Sequence, residues 1–303
     1  MNNIFLNDNI DLSEYMDGQK MQMLVKPAKQ WHEDLKDALT HAEEMSGALL
    51  PWPKHQYKFR FRLGEMSIWS GDSGSGKSFL NNQIAMCLAD QGVKSVMASF
   101  EMPPIKTLQR MVCQNSLTKK FQFCKESDLD NLIEKIDGKI WLYNQTGQIN
   151  FSRLVAMICY CTEQLSTQHF FIDSLMMITA TDDERQLFNL QRNVVQKLVK
   201  LASDLNIHIH LVAHFKKTGE NEKAGKNSIS GSKDITNLAH NVFLLQNNIN
   251  DDGTHISGDA DLWLTIAKQR DDGFKGAFPL YRTNEILMFK DSFHEPYGRR
   301  EAY

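Results

Sequence analysis

Residues 71–78 read Gly71-Asp72-Ser73-Gly74-Ser75-Gly76-Lys77-Ser78, which fits the P-loop pattern G-x-x-x-x-G-K-[ST] at every fixed position. The stretch Met66-Ser67-Ile68-Trp69 is typical of a short buried strand, and residues 79–90 carry apolar side chains at helical spacing. The pattern requires this order of strand, loop and helix, because its glycines let backbone N–H groups surround phosphate oxygens at a helix N-terminus. The stretch therefore predicts a nucleotide-binding loop. The alternative is a Gly/Ser turn that matches by accident.

The P-loop pattern assigns roles to its residues. Lys77 is expected to reach the β- and γ-phosphates of ATP, and the Ser78 hydroxyl is expected to hold Mg²⁺. ATP and Mg²⁺ are therefore the predicted cofactors. The nucleotide is expected to contact the whole loop, namely Gly71, Asp72, Ser73, Gly74, Ser75, Gly76, Lys77 and Ser78.

The composition limits the possible classes of protein. A chain of 303 residues with 42% hydrophobic content can build one large α/β domain and a short appendage. The formal net charge of −3 argues against a generally basic surface, so any DNA contact must come from a local patch. Five cysteines without a C-x-x-C pair predict reduced thiols and no zinc site. The polar start and the lack of a long apolar run predict a cytoplasmic protein with no membrane contact.

The N-terminal region differs from the rest of the chain. Residues 1–50 hold nine acidic and four basic side chains, and apolar residues at helical spacing predict an amphipathic helix over residues 31–46. A Pro-Trp-Pro break then predicts a linker at residues 47–53. We therefore expect an N-terminal arm with a linker helix, followed by an ATPase domain at residues 51–303. The helix could pack on its own domain or on a neighbouring subunit, and the sequence favours neither.

Short β-like runs alternate with helical patterns from residue 58 onward. Strands are predicted at residues 93–100, 139–144, 168–173, 207–214 and 242–246, helices at residues 105–117, 151–165 and 182–205, and an antiparallel strand pair at residues 261–268 and 277–282. Strands that alternate with helices predict an α/β fold with a mainly parallel central sheet covered by helices.

Three polar residues fall at predicted strand ends, where ligands bind in such sheets. Asp173 suits the second carboxylate that holds Mg²⁺ in P-loop enzymes, with a helix N-cap as the alternative. Glu101 could orient an attacking water molecule, or it is an exposed loop acid. His214 could sense the γ-phosphate, or it is a structural histidine.

Two basic segments follow these strand ends. Residues 215–235 form a polar loop that contains glycines and five lysines, and it is the best candidate for contacts with a DNA backbone. These lysines are Lys216, Lys217, Lys223, Lys226 and Lys233. Arg270 ends a late strand and could act as an arginine finger, which neutralises charge on a transferring phosphoryl group. The alternatives are a solvated loop and an ordinary surface arginine.

The order of five segments resembles that of the DnaB-like replicative helicases. The likeness is greatest to the helicase half of phage primase–helicases and to the mitochondrial Twinkle group, and it covers about residues 58–290. The Phe-Glu-Met-Pro segment and the strand-end histidine are fairly specific, whereas the P-loop alone is not. The five segments are the P-loop, Ser99-Phe100-Glu101-Met102-Pro103, Phe171-Ile172-Asp173-Ser174, Val212-Ala213-His214 and Lys268-Gln269-Arg270.

The resemblance implies a RecA-like core and a role for each matching residue. Glu101 would be the catalytic base, and His214 would contact the γ-phosphate. Lys268 and Arg270 would reach the nucleotide of a neighbouring subunit. The lysines of the loop after His214 would line a central channel that holds single-stranded DNA.

The resemblance also implies an activity. The chain is expected to be an ATP-dependent replicative DNA helicase that moves 5′-to-3′ along single-stranded DNA as a hexameric ring, encoded by a phage and located in the host cytoplasm. About 50 residues precede the motor and contain no primase zinc motif, so a separate primase or other replisome proteins are expected partners. A RecA-like recombinase, a helicase loader and an ATP-gated single-stranded-DNA binding protein are the alternatives.

Overall fold

The computed structural model describes residues 27–40, 46–71, 74–118, 120–179, 184–213, 233–248, 260–282 and 288–292. Within these ranges, only the backbone is described for Ala38, Glu184, Arg185, Lys233 and Asp234. The chain divides into two compact units, Met1–Ser46 and Gly47–Tyr303.

The described part of the first unit is one short helix. A 3₁₀ turn at Ala28–Trp31 leads into α1 (His32–Thr40), whose first turn carries Glu33 and Asp34 next to the positive end of the helix dipole. The predicted helix is therefore present over this range, and residues 41–45 lie outside the described residues. Its apolar stripe is exposed and consists of Trp31, Leu35 and Leu39.

The second unit contains the remaining helices and all the described strands. The helices are α2 (Lys77–Asp90), α3 (Pro104–Asn115), α4 (Glu126–Ile136), α5 (Phe151–Leu165), α6 (Leu175–Ile178), α7 (Glu184–Leu205) and α8 (Lys233–Leu238). The strands are β1 (Ala48–Leu49), β2 (Arg60–Phe61), β3 (Met66–Gly71), β4 (Ser95–Ser99), β5 (Ile140–Leu142), β6 (His169–Asp173), β7 (His208–Val212), β8 (Asn241–Asn247), β9 (Leu262–Gln269), β10 (Gly276–Arg282) and β11 (Phe289–Lys290).

A large sheet organises the second unit. Its described strands run in the order β5-β4-β6-β7-β3-β8-β9-β10-β11. The strands from β5 to β8 are parallel, and β9, β10 and β11 continue the sheet in antiparallel fashion. The predicted α/β fold with a mainly parallel sheet is confirmed. The P-loop strand β3 lies between β7 and β8, in the interior of the sheet.

Helices cover both faces of the sheet. Ile68 of β3 packs into the apolar cluster formed with α5 and α7, whereas the next residue, Trp69, packs into the cluster formed with α2, α3 and α4. Both side chains are fully buried. A strand that is buried on both faces carries large apolar side chains on both, and in β3 the adjacent Ile68 and Trp69 are of this kind.

The predicted linker at residues 47–53 is wrong. Residues Ala48–Leu49 form β1, which pairs with β2, and both Leu50 and Trp52 are buried in the core. The Trp52 indole N–H also donates a hydrogen bond to the Phe289 carbonyl oxygen at 3.0 Å. The prolines predict the irregular backbone here correctly, but Leu50 and Trp52 gain more by packing than by remaining in a solvated linker.

Three buried histidines form a polar layer on one face of the sheet. His169, His208 and His210 occupy neighbouring strands, with His169 directly opposite His208. The Trp69 indole N–H donates to His210 Nδ1 at 3.3 Å, so the neutral His210 ring carries its proton on Nε2, 3.1 Å from His169 Nδ1. His208 Nδ1 donates to the Arg62 carbonyl at 2.5 Å and accepts from Ser67 Oγ through Nε2 at 2.8 Å. Burial lowers the pKa of all three rings, which keeps them neutral.

Candidate functional site

The P-loop connects the end of β3 to the start of α2. Lys77 is the first residue of α2, and its Nζ donates a hydrogen bond to the Gly71 carbonyl at 2.8 Å. Gly76 has a φ of +94°, and a Cβ there would lie 2.7 Å from Phe289 Cζ. Glycine is therefore required at Gly76 by both backbone conformation and space. Asp72 and Ser73 lie outside the described residues.

The predicted metal ligands lie together. The Ser78 hydroxyl donates a hydrogen bond to Asp173 Oδ2 at 3.0 Å. Asp173 ends β6 and is buried, and Ser174, not Asp173, occupies the N-cap position of α6. A hydroxyl and a carboxylate are the hard oxygen ligands that Mg²⁺ prefers, so the residues present fit this ion.

The electrostatics of Asp173 suit a cation. Burial and the neighbouring Glu101 raise the pKa of Asp173 to about 6, while the Ser78 hydrogen bond and the charges of Lys77 and Arg110 lower it. Arg110 lies on α3 with its guanidinium carbon 4.7 Å from the centre of the Phe79 ring. No local pattern in the sequence marks Arg110, because its position relative to Asp173 depends on how α3 packs.

The end of β4 places Glu101 next to Asp173. Ser99 pairs with Asp173 in the parallel ladder, and the Phe100 N–H donates to the Asp173 carbonyl at 2.8 Å. The Ser174 hydroxyl then donates to Glu101 Oε1 at 3.0 Å. Glu101 itself is exposed. An exposed carboxylate oriented beside the predicted metal ligands can accept a proton from a water molecule.

A small cavity lined by both polar and apolar side chains adjoins Ser78 and Asp173. Its lining includes side chains that are buried or nearly so and that have polar atoms without a hydrogen-bond partner in the described ranges: Asn81 Nδ2 and Oδ1, Asn82 Nδ2, Ser99 Oγ and Thr107 Oγ1. Buried polar groups of this kind are normally satisfied by ordered water. The sequence does contain a pattern that could have predicted this polar lining. Ser78, Asn81 and Asn82 are spaced so that their three polar side chains lie on one face of α2.

Two further residues pack on the P-loop, and the sequence analysis missed both. Arg282 Nη2 donates to the Ser75 carbonyl at 3.3 Å, and its guanidinium carbon lies 5.2 Å from the centre of the Phe289 ring. The backbone of Phe289 exchanges two hydrogen bonds with the Gln83 side chain on α2, at 2.8 and 3.0 Å. These residues lie about 200 positions after the P-loop in the sequence, and no local pattern links them to it.

Lys268 and Arg270 lie at the opposite edge of the sheet. Gln269 of β9 pairs with Asn241 of β8, which pairs with Ser67 near the start of β3. Gln269 is therefore displaced from Gly71 by roughly 13 Å along the strand direction, counting four residues at about 3.3 Å each, and Arg270 lies one residue further from Gly71. Arg270 is exposed. The chain's own P-loop and its candidate arginine finger thus face different edges of the sheet.

The side chains of the remaining predicted site residues lie outside the part of the chain that the structure describes. His214, Lys216, Lys217, Lys223 and Lys226 lie outside the described residues, and of Lys233 the backbone alone is described, as the first residue of α8. β7 ends at Val212, at the same edge of the sheet at which β6 ends in Asp173.

Comparisons with known proteins agree with this architecture. A sequence model of the DnaB-like helicase C terminal domain matches residues 59–291. One solved structure, described as an ATPase domain, is similar with a TM-score of 0.73, 15% identity, and coverage of 86% of this chain and 98% of that chain. A DnaB-like replicative helicase, described with its interactions with primase, gives a TM-score of 0.71, 16% identity, and coverage of 88% and 67%. Among the residues described, no helix has the length and apolarity to cross a membrane.

Proposed function

The chain belongs to the family of DnaB-like helicase C-terminal domains, and on this premise we propose that it is the ATP-driven motor of a replicative DNA helicase. The observation that carries the proposal is the convergence of Lys77, Ser78, Glu101 and Asp173 at the carboxyl ends of three parallel strands. A phosphate-binding loop, two oxygen ligands and an oriented carboxylate together are the equipment for hydrolysing a nucleoside triphosphate.

Each residue has a separate task in the proposed reaction. The P-loop backbone and Lys77 hold the phosphates of ATP, and Ser78 and Asp173 would hold Mg²⁺, which neutralises charge on the phosphate oxygens. Glu101 orients the attacking water and accepts its proton, while Ser174 fixes the direction of the carboxylate through its hydrogen bond. His214 is proposed to contact the γ-phosphate.

We propose that the site is completed by a second subunit. Arg270 and Lys268 cannot reach the P-loop of their own subunit from the opposite edge of the sheet, but head-to-tail packing would bring them to a neighbour's nucleotide. A closed ring of identical subunits repeats such an interface without leaving one open. A hexamer is the ring that the family resemblance implies.

The DNA strand is proposed to lie on the lysines that follow His214. Lys216, Lys217, Lys223, Lys226 and Lys233 occur within 18 residues of a chain whose overall charge is −3, so they provide a local site for phosphates. Movement in the 5′-to-3′ direction, a separate primase or other replisome proteins as partners, and a phage-encoded protein acting in the host cytoplasm are part of the same proposal.

The experiment that tests this function measures ATP hydrolysis with and without single-stranded DNA, together with unwinding of a forked duplex. The motor should be stimulated by DNA and should unwind the fork without another protein. A protein that forms filaments and does not unwind would instead be a recombinase or a loader. A rate of ATP hydrolysis that does not change when single-stranded DNA is added would indicate an ATP-gated binding protein. Electron micrographs with an ATP analogue and Mg²⁺ would show whether a ring forms.

A further inference from the structure

Lys268 and Arg270 share one set of backbone acceptors. Lys268 Nζ donates to three carbonyl oxygens at the end of α8, those of Thr236 at 2.9 Å, Asn237 at 2.7 Å and Ala239 at 2.7 Å. Arg270 Nη2 donates to the same Asn237 oxygen at 2.6 Å. Two cations therefore hold the C-terminal end of one short helix.

The acceptors explain why this arrangement is stable. The last carbonyl groups of a helix have no partner within the helix and carry the negative end of its dipole. An ammonium group has three donors, and here all three are used. Charge-assisted hydrogen bonds of this kind are stronger than neutral ones.

Because carbonyl groups are neutral, these hydrogen bonds cancel neither positive charge. Among the described residues, no ion pair joins Lys268 or Arg270 to a carboxylate; Asp271, the nearest acid in the sequence, pairs instead with Arg62. Burial and the charge of Arg270 lower the pKa of Lys268 to about 8, and burial together with the charges of Arg270 and Lys268 lowers the pKa of His240. An anion that approached this edge of the sheet would relieve that repulsion.

Helix α8 links this cluster to two parts of the proposed motor. It begins at Lys233, the last of the lysines proposed to hold DNA, and it ends three residues before β8. β8 pairs directly with the P-loop strand β3. A movement of α8 would therefore also move Lys233, the residue at which the proposed DNA-binding segment ends.

We propose that Lys268 and Arg270 are a coupling pair, which holds the end of α8 until the triphosphate of a neighbouring subunit draws the two cations away. Because all three Lys268 donors are occupied, the ammonium must release at least one α8 carbonyl before it can donate to a phosphate. ATP bound in one subunit would thereby loosen the C-terminal end of α8 in the next, and the first residue of α8 is the last of the proposed DNA-binding lysines. The inference rests on the proposed function and adds the route by which nucleotide affects DNA affinity.

Coupling of this kind is measured as the ratio of the DNA affinity with an ATP analogue to the DNA affinity with ADP. The affinity of the full-length protein for a fluorescent dT oligonucleotide is measured with saturating non-hydrolysable ATP analogue and Mg²⁺, and again with ADP. In the wild-type protein the ratio of affinities should be about 5 to 150, the usual range for linked sites. In Lys268→Met it should fall to within about twofold of 1. Lys275→Met, which removes an exposed lysine five residues further on, should keep the wild-type ratio.

The ratio separates coupling from a structural role. If Lys268 only capped α8, Lys268→Met would weaken DNA binding equally with both nucleotides and leave the ratio unchanged, which would overturn the inference. Saturation with analogue is checked separately for each variant. A wild-type protein that neither binds DNA nor hydrolyses ATP would instead refute the proposed function itself.

Amide hydrogen exchange in the wild-type protein gives a second test that needs no variant. Release of the carbonyls should loosen the last turn of α8, so the amides of residues 236–240 should exchange faster with the ATP analogue than with ADP. Equal exchange at these amides in the two states, in rings that are demonstrably assembled, would overturn the inference even if Lys268→Met did not fold.

Discussion

The Ser174 hydroxyl donates a hydrogen bond to Glu101 Oε1 at 3.0 Å, which joins the residue after β6 to a residue just beyond β4. Asp173, the neighbour of Ser174, accepts a hydrogen bond from Ser78 on the other side. The two strand ends thus fix the candidate base and the candidate metal ligands relative to each other. Glu101 can therefore be changed chemically while its orientation is preserved.

The first prediction separates catalysis from binding. Glu101→Gln keeps an oxygen that can accept the Ser174 hydrogen bond but loses the ability to accept a proton. Hydrolysis should fall at least about 10²-fold, the usual scale for a general base, while ATP binding measured by a fluorescent analogue stays near that of the wild type. Lys77→Ala, by contrast, removes a phosphate contact and should weaken binding as well as abolish turnover. Near-normal turnover of Glu101→Gln would remove this residue from the mechanism.

The strand-end residues were predictable from sequence for a physical reason. Strands such as β6 are buried on both faces, so they read as short apolar runs that end abruptly in a polar residue such as Asp173. Parallel strands bring their carboxyl ends to one edge, so Glu101, Asp173 and the P-loop could be placed together without coordinates. Helix α5 was predicted at residues 151–165, the range that it occupies, because its apolar spacing is regular.

Other features depend on contacts between distant segments and left no local pattern. β11 has only two residues, and it is held to the P-loop helix by Gln83 and to the start of the unit by Trp52. Nothing in its own sequence marks it as a strand. Likewise the acceptors of Lys268 are backbone carbonyls, which exist in every residue, so only the fold reveals that α8 ends there.

The second prediction concerns the proposed DNA-binding lysines. Each phosphate neutralised on single-stranded DNA contributes about −0.7 to the slope of log affinity against log salt concentration. Replacing Lys216 and Lys217 by Ala should therefore flatten the slope by about 1.4 per engaged subunit, without loss of DNA-independent hydrolysis. The matched control replaces the exposed Lys200 and Lys275. If affinity and slope stayed at wild-type values in the first variant, the loop would be merely solvated.

The third prediction concerns the N-terminal helix. Trp31, Leu35 and Leu39 form an exposed apolar stripe on the described part of the first unit. If this stripe docks on a neighbouring subunit, a protein that starts near residue 47 should remain folded but lose assembly, because the second unit has its own core. Sedimentation with an ATP analogue measures this. A shortened protein that still forms the full-length oligomer would show that the helix is not needed between subunits.

The fourth prediction follows from the buried histidines. Burial lowers the pKa of His208 to about 4, whereas the unfolded chain binds that proton near its ordinary pKa of 6.5. Below about pH 6.5 the unfolded state therefore binds a proton that the folded state does not bind, and the free energy of unfolding decreases as the pH falls toward 4. For His208 alone, the loss between pH 7 and pH 5 is about 2 kcal/mol.

His208→Gln provides the measurement for this effect. Glutamine can donate to the Arg62 carbonyl and accept from Ser67, as neutral His208 does, but it cannot take up a proton. Urea unfolding at pH 7 and pH 5 should show that the variant loses about 2 kcal/mol less than the wild type. Leu154→Ala removes a fully buried side chain from the apolar cluster on the α5 side of the sheet, and as the control it should lower stability equally at both pH values. Equal pH dependence in wild type and His208→Gln would contradict the prediction.

The fifth prediction is that Arg270 acts on ATP bound by the adjacent subunit. A guanidinium group stays charged and can fork onto two phosphate oxygens, so its loss should reduce hydrolysis roughly 10³-fold or more while ATP binding is spared. Lys77→Ala subunits keep Arg270, and Arg270→Ala subunits keep the P-loop, so each protein alone should be inactive. In a random equal mixture, roughly a quarter of head-to-tail interfaces pair an intact P-loop with an intact arginine. Basal hydrolysis should therefore reappear on mixing.

The control is a mixture of Lys77→Ala with Glu101→Gln, which restores no interface, because both changes fall on the same side of it. If subunits demonstrably exchange and the first mixture stays inactive, Arg270 does not act in trans.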